Sequence, residues 1–214
     1  SPNLNHYKAR FLNHLAKAEN IKLCVLSGSG RKSSGDIEID SNSRFTNKKI
    51  NVYKKNFGFS LKIAQYIKSV FNDFDYILIP AEKKNLPLFI YLLFLKKIYK
   101  KTKLISYNHY SLKRNGDTTF FDKQLTKFYY RNLDKVIFYT NKSYTKAIKN
   151  NLLQPNKAYW ANNTIDNTEI EKNYNFCLPP SNQFNIVFIG RLIPSKKINL
   201  LIKLFKKLSS FYDN

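Results

Sequence analysis

Apolar residues fall along this chain in two rhythms. In the first they recur three and four positions apart, the spacing of a helix buried on one face. Tyr7, Phe11, Leu12, Leu15 and Ala16 follow it and predict a helix over residues 6–18. The same spacing predicts helices over 60–71, 86–99, 119–131 and 141–150. A last helix runs from Lys196 onward and carries Ile198, Leu201, Ile202 and Phe205. Within 119–131, Phe120, Phe121, Leu125, Phe128 and Tyr129 make an aromatic face expected to pack in the core. In the second rhythm, short apolar and β-branched runs read as strands, those at 75–79 and 185–189 as buried ones. These are residues 21–27, 75–79 (DYILI), 103–107 (KLISY), 134–140 (DKVIFYT), 157–161 and 185–189. Residues 30–47 read as a polar loop around a short strand at 37–39, and residues 51–53 as a further strand.

Strands alternating with helices predict an α/β fold, a Rossmann-like parallel sheet flanked by helices. Residues 1–166 are expected to form one such domain. Residues 167–184, polar and containing Pro179-Pro180, fit a linker. Residues 185–214 fit the first strand–helix unit of a second Rossmann-like domain. A doubly wound domain opens on a strand, yet here a loop and a helix come first. The first strand is therefore expected upstream of Ser1. The chain contains no methionine and is expected to be a piece of a longer reading frame.

Charge changes the picture most. The 214 residues carry 37 Lys and Arg against 14 Asp and Glu, a formal +23. Such a field attracts nucleic acid, anionic lipid or phosphorylated ligands. The cations are mostly lysines scattered over every helix, which reads bases less well than clustered arginine would. Gly28-Ser29-Gly30 lacks the third glycine of a phosphate loop and reads as a turn. The two cysteines, Cys24 and Cys177, have no metal-site spacing; they suit a reducing, cytoplasmic compartment without a disulfide framework. The longest apolar run falls far short of the roughly 20 residues that cross a bilayer.

Two places carry candidate chemistry. The run at 185–189 ends at Gly190, a tight-turn residue, followed by Arg191, Pro194, Ser195 as a plausible N-cap, and the helix with Lys196 and Lys197 at its start. Strand, glycine turn, basic residues and helix start together make an anion site, because free N–H groups and the helix dipole face the ligand. The second is Asn108-His109-Tyr110, into which the strand KLISY runs directly. In open α/β sheets the ligand crevice lies beyond the carboxyl ends of the strands, and His109 is placed there.

The segment from 185 to 205 resembles the start of the C-terminal domain in retaining GT-B glycosyltransferases of glycosyltransferase family 4, where four apolar residues precede G-R-L-x-P-x-K-G and a helix. Lys197 stands where that family has glycine, so either lysine could be the phosphate ligand. Five further stretches follow in the family's order: a loop with Pro2, His6 and Tyr7, then DYILI, YNHY, DKVIFYT and Asn162-Asn163-Thr164-Ile165-Asp166. Thr164 replaces the glycine of the family's N-G-V-D motif, while Asn163 and Asp166 match it.

The resemblance implies transfer of a sugar from a nucleotide-sugar donor to a glycan or lipid-linked acceptor with retention, in cell-surface polysaccharide synthesis. It implies no metal and no separate cofactor. Arg191 and Lys196 would grip the donor diphosphate, with Gly190 and Lys197 beside them. His109 would orient the donor sugar, while His6, Tyr7, Asn108, Asn163 and Asp166 would line the acceptor side or the interdomain cleft. The family's acidic pair lies beyond residue 214, so this chain alone is expected to be inactive. Two other readings stay open. A basic α/β nucleic-acid-binding module would use the +23 charge without catalysis, although no specific nucleic-acid motif appears. Residues 86–101 (LPLFIYLLFLKKIYKK) would dock peripherally on anionic lipid at the inner face of a membrane, or would simply be a sheet-covering helix with a solvated end.

Overall fold

The computed structural model describes residues 6–28, 44–50, 59–110, 119–162, 186–190 and 194–212. The chain divides into two compact units, Ser1–Asn167 and Thr168–Asn214.

The first unit runs α1 (His6–Leu15), β1 (Cys24–Ser27), β2 (Thr46–Lys49), α2 (Leu61–Val70), β3 (Tyr76–Leu78), α3 (Leu86–Ile98), β4 (Lys103–Asn108), α4 (Phe120–Asn132), β5 (Lys135–Phe138), α5 (Asn141–Lys149) and β6 (Ala158–Trp160). All described pairings are parallel, in a two-stranded sheet β1-β2 and a four-stranded sheet β3-β4-β5-β6. The fold is Rossmann-like α/β, as the alternation of runs predicts.

The two faces of the four-stranded sheet are unlike. Partners in register share a face, so Leu104, Ser106 and Asn108 lie on one side with Val136, Phe138 and Ala158, all buried. Against them pack Ile63 and Ile67 of α2, Phe89 and Leu92 of α3, and Leu125 and Tyr129 of α4. On the opposite face Tyr76, Leu78 and Tyr159 are exposed, while Ile105, Tyr107 and Ile137 are half-buried. The asymmetry follows from topology. Strand order that advances in one direction, with right-handed crossovers, sends every crossover helix to the same face.

Helix α1 goes to the other side. Its Ala9, Leu12 and Ala16 pack on Leu23, Val25 and Phe45, and the Phe11 ring lies over Tyr107 at 6.4 Å. Helix α2 covers the opposite face of β1: Cys24 Sγ lies 3.8 Å from the Tyr66 hydroxyl, and Leu26 packs against the main core.

The helix starts have local causes. Ser60 accepts from the Ile63 N–H at the head of α2. Thr119 and Asp122 form a reciprocal capping box on α4. Helix α5 ends in a Schellman turn, with Asn151 in the left-handed region at φ 51° and Leu152 N–H donating to the Ala147 carbonyl.

Several expectations need correction. Strand β2 begins in the last two residues of the stretch read as loop and runs two residues past it; its four polar, exposed residues carry no apolar signal, and only pairing with β1 makes it a strand. Phe120 and Phe121 are 77% and 65% exposed, so the aromatic face of α4 is narrower than its spacing suggests. In the second unit, residues 186–189 are not a buried strand: Val187 and Ile189 are 77% and 92% exposed. Among the described residues of that unit there is no second strand, and a strand without a ladder cannot pair its backbone. The final helix, α6 (Ile198–Tyr212), begins two residues later than read, because Pro194–Lys196 form a 3-10 turn that includes Ser195. The expected strands at 37–39 and 51–53, the linker, and Cys177 lie outside the described residues.

Candidate functional site

Residues 106–110 carry the chain out of the sheet at the carboxyl end of β4, and a buried polar network fixes their course. The Asn108 side chain is 7% exposed and uses its whole hydrogen-bonding capacity inside the protein. Its Nδ2 donates to the His109 carbonyl and to the Tyr130 hydroxyl, each at 3.2 Å. Its Oδ1 accepts from the Ser106 hydroxyl and from the Ala81 N–H at 3.4 Å. Ser106 Oγ also accepts from the Ala81 N–H at 3.1 Å. The Tyr130 hydroxyl faces the carbonyls of His109 and Tyr110 at 3.2 and 3.0 Å. Burial pushes its pKa up, so it stays a neutral donor at all ordinary pH. The network thus ties the segment after β3, the end of β4 and helix α4 to the backbone of His109.

The His109 side chain is exposed. Its ring packs on Tyr139 at 4.5 Å, Tyr139 packs on Tyr107 at 4.2 Å, and Tyr107 on Phe11 of α1. Four rings from β4, β5 and α1 therefore follow one another across the carboxyl edge of the sheet. The Tyr107 hydroxyl donates to the Ala161 carbonyl at 3.3 Å, reaching past β5 to the end of β6. Burial, and secondarily Tyr139, raises the Tyr107 pKa. Thr140 caps α5 by accepting from the Ser143 N–H at 3.2 Å. Beside it, Lys146 Nζ lies 4.8 Å from the centre of the Tyr110 ring.

The segment after β3 is held from α4. Tyr129 donates to the Glu82 carbonyl at 2.9 Å, and Asp122, 2% exposed, is ion-paired with Lys83. Lys83, with the Thr119 hydrogen bonds, holds the Asp122 pKa down at about 2 against the penalty of burial. Asp134 serves the far end of β4 in the same way, accepting from the Leu104 N–H at 2.7 Å and pairing with Lys96 at 2.5 Å.

Of the candidate residues, Asn108 and His109 come together here. His6 and Tyr7 form the first turn of α1. Gly190, Lys196 and Lys197 belong to the second unit. At Gly190 an added Cβ would come within 3.0 Å of the Phe188 ring, so that turn is kept open by the absence of a side chain. Lys197 takes φ 51°, the left-handed region that favours glycine, immediately before α6. Arg191, Asn163 and Asp166 lie outside the described residues. Among the described residues no three His, Cys, Asp or Glu side chains gather as a metal site. The reading of residue types missed Tyr130, Ser106 and Tyr139. Each sits in an apolar run whose spacing marks it only as core. No family model and no curated protein matches the chain.

Proposed function

We propose that the chain belongs to a retaining, metal-independent glycosyltransferase of the GT-B kind, contributing its acceptor-side domain and the start of its donor-binding domain. The observation that carries the reading is His109. It stands exposed at the carboxyl end of a parallel strand, on a backbone held by Asn108 and Tyr130 and beside a row of aromatic rings. An imidazole on a backbone held in this way, with its ring against Tyr139, can donate to a sugar hydroxyl or to a developing phosphate charge. The rings of Tyr139 and Tyr107 offer apolar faces to a sugar or a base. In the second unit, the left-handed backbone at Lys197 supports the likeness too, since the related motif has glycine there. In this reading Arg191 and Lys196 supply the positive charge that the leaving diphosphate needs in place of a cation.

The test is turnover with a panel of nucleotide sugars, in the protein carrying its complete native reading frame. His109→Ala should lower kcat by about 10²–10³, the loss seen when one preorganised donor is removed. Turnover within about twofold of the parent would remove His109 from the mechanism.

A membrane-bound acceptor is favoured by a separate observation. Ile90, Phe94 and Ile98, four residues apart on α3, are 52%, 59% and 54% exposed, while Phe89, Leu92 and Leu95 are buried on the other side. Lys97, Lys100 and Lys101 adjoin this ridge and are exposed. Apolar side chains flanked by lysines suit the headgroup region of an anionic bilayer.

A further inference from the structure

The exposed face of the four-stranded sheet repeats one short pattern. Side chains alternate along a strand, so Lys103, Ile105 and Tyr107 of β4 share this face. Lys135, Ile137 and Tyr139 repeat the same three residue types along β5 and just past its end. Register sets them side by side: Tyr76 of β3 stands next to Lys103, Ile105 next to Lys135, and Ile137 between Tyr107 and Tyr159 of β6. Two lysines lie against rings. Lys103 Nζ is 5.8 Å from the centre of the Tyr76 ring, and Lys135 Nζ is 5.0 Å from that of Tyr159. Tyr76 and Tyr159 are 56% and 47% exposed. None of the strand residues on this face is acidic, nor is any residue of α1, which borders it where Phe11 lies over Tyr107.

We infer that this face binds single-stranded nucleic acid. A nucleotide carries a flat base and a phosphate, and each tyrosine–lysine pair offers a ring and an ammonium side by side. Base faces stack on aromatic rings, and any sequence serves because every base has a π face. Lysine neutralises phosphate as a point charge, without the planar fork that reads guanine, so the face holds strands without sequence preference. Lys135 donates to the Asn156 carbonyl at 2.7 Å and to the Tyr159 hydroxyl at 2.9 Å. That fixes its charge beside the ring and engages two of its three protons. Paired bases keep their faces inside the stack, and a four-stranded sheet is too broad for the major groove, which admits a helix or a two-stranded ribbon. The face therefore selects unpaired strands. A formal charge of +23 repels a second copy of the chain and draws in a polyanion. Anionic lipid would match the lysines but offers no flat faces to the rings. The sheet would bind in this way whether or not the chain transfers sugar.

The test is fluorescence anisotropy of a labelled oligothymidylate of about 16 nucleotides, titrated with the 214-residue chain. Tyr76→Ala and Tyr159→Ala should each weaken binding roughly 5- to 150-fold, the worth of one stacked base. Tyr76→Phe and Tyr159→Phe keep the ring and should bind within about twofold of the parent. Lys103→Gln combined with Lys135→Gln should flatten the dependence of log Kd on log salt by about 1.4, the share of two phosphates on a single strand. A duplex of equal length should compete about tenfold more weakly or worse. No saturable binding at low salt, or alanine variants that bind like the parent, would overturn the inference. A duplex, polyphosphate or hyaluronate competing as well per charge as the oligonucleotide would overturn it too, by showing that charge alone holds the strand. Vesicles of phosphatidylserine whose capture is lost in Tyr76→Ala and Tyr159→Ala, with oligothymidylate binding unchanged, would assign the face to lipid instead.

Discussion

At the scale of single residues, His109 was legible because a histidine directly after a buried strand is conspicuous. What holds it was not. Asn108, expected beside a ligand, spends all four of its hydrogen bonds within the protein, which makes it a positioning residue for the His109 backbone. Tyr130→Phe removes the acceptor of Asn108 Nδ2 and the donor to two carbonyls. It should cost about 1–3 kcal/mol in urea unfolding, the penalty of stranding buried polar groups. Asp122 gives a pH signature. Its pKa lies near 2 in the folded chain against 3.8 in the absence of partners. A lowered folded value means the Lys83–Asp122–Thr119 contacts stabilise the chain fully above about pH 4. That contribution is lost as pH falls toward 2. Asp122→Asn should therefore be less stable than the parent at neutral pH, and the difference should vanish in acid-unfolding curves below about pH 2.

At the scale of elements, long amphipathic helices and the runs of β3 to β6 were read within a few residues, since burial and period act together there. Elements made by partners rather than by composition escaped. TNKK is a strand only because β1 lies beside it. Residues 186–189 have the composition of a strand but no ladder among the described residues of their unit. The start of α6 shows a local conflict, because Lys197 holds a left-handed backbone that costs an L-residue of its size. Lys197→Gly should stabilise α6 by about 0.5–1 kcal/mol, read as slower amide exchange along Leu201 to Leu208. Faster exchange would mean that the glycine-like turn is not kept.

At the scale of the whole molecule, the formal charge of +23 decides little about the fold and much about partners. No described helix is long and apolar enough to cross a membrane. The exposed ridge of α3 is instead suited to lie on one. Phe94→Ser should release the chain from vesicles of anionic lipid in flotation while leaving its thermal midpoint within about 2 °C, because that side chain sits mostly in water. Binding unaffected by the substitution, or equal binding to neutral vesicles, would remove the membrane surface as a partner. Salt-sensitive capture of nonspecific DNA would instead favour the nucleic-acid reading. The one-sidedness of the four-stranded sheet was hidden at this scale, since DYILI has the same composition whether it lies at an edge or in the middle.

Trp160 is the sole tryptophan of the chain and lies at the β6 edge, its ring 4.8 Å from that of Tyr144 on α5. Intrinsic fluorescence excited at the red edge of the indole band therefore watches one corner of the molecule. Far-ultraviolet dichroism averages over every helix. If the β1-β2 pair with α1 melts independently of the four-stranded sheet, the dichroism transition will begin at lower denaturant than the fluorescence transition. Coincident curves would mean that the two sheets unfold as one cooperative body.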